Sequence, residues 1–156
     1  MAVLRLAPGQ ETPRRILVPV RDFSPGSLEQ VQMAARLAVD DEPTEGDHSD
    51  SLITVLHLHD PRLREEQLQE LREHFQPWLE ELRPSVAVKL ELFGSHAVEP
   101  VVERLARFHD LVIMRSLRIQ DAIHRRASSP RAEHLMHSLK CSVMLISDPI
   151  SCALPC

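Results

Sequence analysis

Five short apolar runs alternate with four stretches of helical periodicity, and that alternation most constrains the fold. Ile16 to Val20, Ser51 to Leu58, Val86 to Phe93, Leu111 to Met114 and Ser142 to Ile146 read as strands. Between them, four sets of apolar residues recur at helical spacing: Leu28, Val31, Ala34 and Ala38; Leu68, Leu71, Phe75, Leu79 and Leu82; Val98, Val101, Val102, Leu105 and Phe108; and Ala132, Leu135, Met136 and Leu139. The order βαβαβαβαβ predicts an α/β class: a single-domain, open, five-stranded parallel sheet with helices on both faces, Rossmann-like in architecture. Ligands in such sheets bind beyond the carboxyl ends of the strands, where the strand order reverses. A chain that starts in mid-sheet puts that point between its first and fourth strands. The expected site therefore draws on residues 19–24 and 114–129.

Local signals refine this outline. Pro19 conflicts with a central strand, because it cannot donate to a ladder. Ser24 or Ser27 is placed to cap the first helix, and Asp60-Pro61 reads as the cap and first residue of the second. Pro77 predicts a kink or break in that second helix. Ser129-Pro130 repeats the cap pattern before the last helix. The expected layout is a flexible leader at 1–14, a domain at 15–148 and a tail at 149–156.

Composition excludes several classes. At 156 residues with 43% hydrophobic and 26% charged side chains, the chain is globular and long enough to bury one core. Aromatics are scarce (Trp 1, Tyr 0, Phe 4), which speaks against base-stacking platforms and hence against a nucleic-acid partner. The three cysteines form no CxxC pair, so neither a zinc framework nor a disulfide scaffold is expected. Residues 1–15 lack the apolar stretch of a signal peptide, and no uncharged run approaches the ~20 residues of a membrane span. The expected location is cytoplasmic. His57, His59 and Asp60, or His134 and His137 near Glu133, would each need a further ligand to hold a metal. No metal is expected, and no catalytic constellation stands out.

The net charge of −5 is uneven. Residues 40–50 carry six carboxylates and no cation, the pattern of a solvated loop. Residues 115–140 carry Arg115, Arg118, Arg125, Arg126, Arg131 and Lys140 against Asp121 and Glu133. Such a run is either a wet face or a holder of an anion, a lipid head group or an acidic partner. Glycine is rarer than usual: 4 residues, none after Gly94. A backbone phosphate cradle in the last third has no glycines to build it.

The segment from Arg15 through Ile-Leu-Val-Pro-Val-Arg-Asp-Phe-Ser-Pro-Gly to Ser27, with Ala34-Ala-Arg-Leu-Ala38 after it, resembles the opening of the universal stress proteins. Thr54-Val-Leu-His57, Gly94-Ser-His-Ala97, Asp110-Leu-Val-Ile-Met114 and Cys141-Ser-Val-Met-Leu-Ile146 resemble later segments of that family, in order. The resemblance implies the fold, with ligand-lining positions at Pro19, Asp22, Met114, Arg115, Arg118, Ser128 and Ser129. Nucleotide-binding members carry a loop of Gly, two residues, Gly, nine residues, Gly, then Ser or Thr. Those glycine positions hold Arg115, Arg118 and Ser128 here, with Ser129 next, so ATP held in the usual way is not expected. Arg21 also separates Asp22 from the strand that it would follow directly.

Three functions are compatible with these features. One is a non-enzymatic regulatory domain acting through dimerisation and partner contacts. Another is the cytosolic regulatory domain of a membrane transporter, a cation/proton antiporter or an amino-acid permease. The third is a nucleotide or second-messenger sensor using Arg115 and Arg118. A homodimer is expected through the last strand (Ser142, Val143, Met144, Leu145, Ile146), an uncharged run that would form a sheet edge.

Overall fold

A computed structural model of the chain describes residues 2–5, 13–39, 51–82, 86–116, 134–135 and 137–147. In chain order the elements are β1 (Ala2–Arg5), β2 (Arg15–Val20), α1 (Pro25–Val39), β3 (Leu52–His59), α2 (Glu65–Leu82), β4 (Ala87–Gly94), α3 (Val98–Ala106), β5 (Leu111–Ser116) and β6 (Ser142–Ser147). They build one sheet in the order β1-β6-β5-β2-β3-β4. The five expected strands all run parallel to one another.

The period-two alternation of the strands sorts side chains into two cores. Ile16, Val18, Val20, Ile53, Val55, Leu111 and Ile113 face α1 and α2 and meet Val31, Ala34, Phe75 and Trp78. Leu17, Leu56, Val112, Met114, Val143 and Leu145 face the other layer and meet Val101, Val102 and Ala106 of α3, with Leu135 and Leu139. Ile16, Leu17 and Val18 are wholly buried. At roughly 1.5–3 kcal/mol for each side chain removed from water, they make β2 the axis of the domain. Among the described residues β4 is the sheet edge opposite β1, and Lys89 on it is exposed as the alternating sequence implies.

Five expectations are corrected. Residues 2–5, assigned from sequence to a leader, form β1, which runs antiparallel to β6 from Ala2↔Ile146 to Arg5↔Val143. The last strand is therefore not a sheet edge: it lies between β1 and β5. Pro77 does not break α2, which runs unbroken from Glu65 to Leu82 with Pro77 exposed on it. Asp60 does not cap α2; its carboxylate accepts the Arg62 N–H at 2.8 Å in a turn, and the helix starts five residues after it. Phe108, expected on the apolar face of α3, lies beyond the helix end and is 66% exposed.

The Pro19 conflict resolves through the topology. Alternate residues of a parallel strand address opposite neighbours. Arg14 O accepts from Leu52 on the β3 side, and Arg15 O accepts from Asp110 on the β5 side. Pro19 therefore faces β5. The β2–β5 pairing comprises only Ile16↔Leu111 and Leu17↔Val112. The missing N–H falls beyond the last rung, so no ladder bond is lost.

Candidate functional site at the switch point

From β2 the chain moves outward to β3 and β4, then returns through α3 to β5 on the other side of β2. The strand order reverses between β2 and β5, the place where doubly wound sheets hold ligands. There the two strands part after two paired residues, and a side chain enters the gap. Gln30 of α1, only 3% exposed, donates from Nε2 to Pro19 O at 2.9 Å and to Ile113 O at 2.7 Å. One amide thus takes the place of the missing rungs and fills the floor of the crevice.

The turn after β2 is organised by Asp22. Its Oδ1 accepts the Ser24 N–H and the Ser27 hydroxyl, each at 3.0 Å, which ties the carboxylate to the start of α1. Hydrogen bonding to the charged form, from the Ser24 side chain first and then from the Ser24 N–H and the Ser27 hydroxyl, holds Asp22 below the usual carboxylate range despite some burial. Pro25 then takes the first helical position, where its lack of an N–H costs nothing.

Arg115 reaches across from β5 to this helix start. Its guanidinium lies against Gly26, so close that a Cβ at that position would overlap Nη1. Met114 is 6% exposed and packs into the α3 layer, away from the layer that α1 covers. The geometry thus gathers Pro19, Asp22 and Arg115 around the first turns of α1 but sends Met114 elsewhere. Arg118, Ser128 and Ser129 lie outside the described residues.

An aromatic cluster walls the β3 side. Phe23 packs on His57 at 5.0 Å, on Trp78 at 5.3 Å and on Phe75 at 6.1 Å between ring centroids. His57 Nδ1 is 3.3 Å from Val20 O, a carbonyl that can only accept, so Nδ1 donates to it. Burial pushes its pKa below the ordinary histidine value. His57 is thus a packed wall residue. Among the described residues no group of three or more His, Cys, Asp or Glu could hold a metal.

Gln30, Gly26 and the Phe23 cluster escape a motif-based reading. For Gln30 a signal existed: it lies three residues after Ser27, one before Val31 and four before Ala34, all buried on the α1 face. A polar side chain on an apolar face must find a partner, and here that partner is the split sheet.

A shallow depression of about 480 Å³ lies at the other end of the sheet, lined by Arg14, Arg15, Arg107, Phe108, His109 and Asp110. It surrounds the starts of β2 and β5 and is remote from the switch point. Asp110 secures that end, its Oδ2 accepting the N–H of Arg14 and of Arg15 at 3.0 Å.

A universal stress protein from Archaeoglobus fulgidus superposes with a TM-score of 0.59 at 14% identity, over 86% of this chain and 94% of that one. A universal stress protein solved in complex with cAMP superposes with a TM-score of 0.61 at 13% identity, over 88% of this chain and 98% of that one. This is the universal stress protein fold. No family model matches the sequence. A Na(+)/H(+) antiporter of Synechocystis sp., NhaS5, is 25% identical over 149 residues, 96% of this chain. The chain spans 20% of that antiporter's length. No helix among the described residues is long and apolar enough to cross a membrane.

Proposed function

We propose that this chain is a non-enzymatic regulatory domain with the universal stress protein fold, and that its partner is a cation/proton antiporter. The observation that carries this reading is the pairing of 96% of this chain with a fifth of an antiporter. A soluble fold that accounts for that share of a transporter is a candidate cytosolic regulator. The domain acts through partner contacts and self-association, with β6 as its dimer strand, and without holding ATP in the usual way. Side chains support the last point: Gln30 fills the floor of the crevice, the Phe23 cluster walls its β3 side, and Arg115 stands where a backbone cradle would begin.

Two measurements test the reading. Affinity capture of the tagged chain from detergent-solubilised membranes of its own cells should enrich a cation/proton antiporter, and its absence refutes the partner. Calorimetric titration with ATP, ADP and AMP should show no binding at micromolar concentration, and micromolar affinity refutes the nucleotide part.

A second reading has one observation in its favour. Arg115 places a guanidinium beside the start of α1, where helix N–H groups also favour an anion. In that case the domain is a nucleotide or second-messenger sensor, and Arg115→Glu abolishes a binding that the unaltered chain shows.

A further inference from the structure

Strand β6 is built as an interior strand. Val143, Met144 and Leu145 are each less than a tenth exposed, and no charged residue interrupts Ser142–Ser147. On one side it pairs with β5 over six residues. On the other, among the described residues, it is covered by four, Ala2–Arg5. An uncharged strand with an open edge is a template for another strand. Without β1, this one would be open along its whole length.

The direction of β1 is informative. All other neighbours in the sheet are parallel, whereas β1 is antiparallel to β6. When a second copy is related by a two-fold axis normal to the sheet, its β6 must run antiparallel to the first. β1 therefore occupies the place, and has the direction, that a second copy's β6 would have.

We propose that β1 is a detachable guard on a self-association surface: when Ala2–Arg5 leaves, the β6 edge pairs with β6 of a second copy of this chain. The inference rests on the self-association named above and adds what controls it. Because both copies must be open, the apparent dissociation constant of the dimer rises in inverse proportion to the square of the fraction of chains with β1 detached. Breaking the guard should tighten dimerisation by about tenfold or more.

The experiment compares the full chain with V3P/L4P, in which adjacent prolines remove ladder donors from β1 whichever of the two residues faces β6. Sedimentation from micromolar to millimolar concentration should give a monomer for the full chain where V3P/L4P is already dimeric. A two-fold pair of identical strands sets one residue opposite itself. M144C or L145C, added to V3P/L4P, should therefore close an intermolecular disulfide between β6 strands. A lock complements this: L4C/M144C joins directly opposed residues of β1 and β6 in a chain carrying C141A, C152S and C156S. The oxidised lock should remain monomeric at concentrations where the reduced chain dimerises, and this comparison decides the matter if V3P/L4P fails to fold. Equal dimerisation of full chain and V3P/L4P through the same β6 disulfide, or of locked and reduced chains, overturns the guard and leaves self-association standing. Monomers throughout overturn both.

Discussion

Replacing Gln30 with leucine tests whether one amide holds the switch point closed. The substitution keeps the side chain's approximate volume and removes both donated hydrogen bonds, leaving Pro19 O and Ile113 O facing an apolar group. A buried acceptor stripped of its donor costs about 1–3 kcal/mol, so the pair costs about 2–6 kcal/mol. Burying apolar leucine instead of an amide returns about 1–2 kcal/mol. The expected loss is about 3 kcal/mol, which at a urea slope of about 2 kcal/mol/M lowers the midpoint by about 1.5 M. Trp78, the sole tryptophan and a buried member of the core beneath α1 and α2, reports the transition by fluorescence. A midpoint within about 0.3 M of the unaltered chain would show that the amide carries no net weight, and would refute the account of the split sheet. Gln30→Glu extends the test. At neutral pH its carboxylate would face two carbonyl oxygens with no proton to give, so it should destabilise more than leucine. Part of the loss should return on acidification, because the protonated acid can donate to one carbonyl.

Other outcomes follow from the same coordinates. Burial holds both His57 and His109 below the ordinary histidine range. The unfolded chain binds protons first, so stability is full above about pH 6.5 and falls as pH drops through that value. H57Q and H109Q should flatten the slope in urea titrations between neutral pH and pH 5. Pro77→Ala should raise stability by about 1–3 kcal/mol in the same assay, since it restores a donor inside an unbroken exposed helix turn. Asp110→Ala should cost about 1–3 kcal/mol, because the Arg14 and Arg15 N–H groups lose their shared acceptor. Gly26→Ala should be neutral or stabilising by up to about 1 kcal/mol. The atoms that a Cβ would meet are the far end of the flexible Arg115 side chain rather than backbone, and alanine is the better helix former.

The sheet was legible because its signal is periodic and local. Ile16-Leu17-Val18 cannot be placed anywhere but in a strand buried on both faces, and the helices between strands force parallel order. The switch point followed from that order alone. The contents of the crevice were less legible, because they depend on contacts between residues far apart in sequence. Gln30 reads as an ordinary helix residue until Ile113, eighty-three residues later, is set beside it. Arg115 was identified by position, but its contact with Gly26 depends on how β5 is placed beside α1. β1 was missed for a related reason. Four residues among prolines carry too little periodicity to be read as a strand, and their partner lies at the other end of the sheet.

The separation between β1 and β6 also bears on biosynthesis. Ala2 and its partner Ile146 are 144 positions apart. At roughly 5–20 residues per second, the first strand waits roughly 7–29 s for the last to be translated. When β6 emerges, Ala2–Arg5 is already tethered nearby, at an effective concentration in the order of millimolar. A second copy, present at far lower concentration, cannot compete for that edge at birth. Each chain should therefore leave the ribosome with its edge already covered, so that any pairing of copies is a later event.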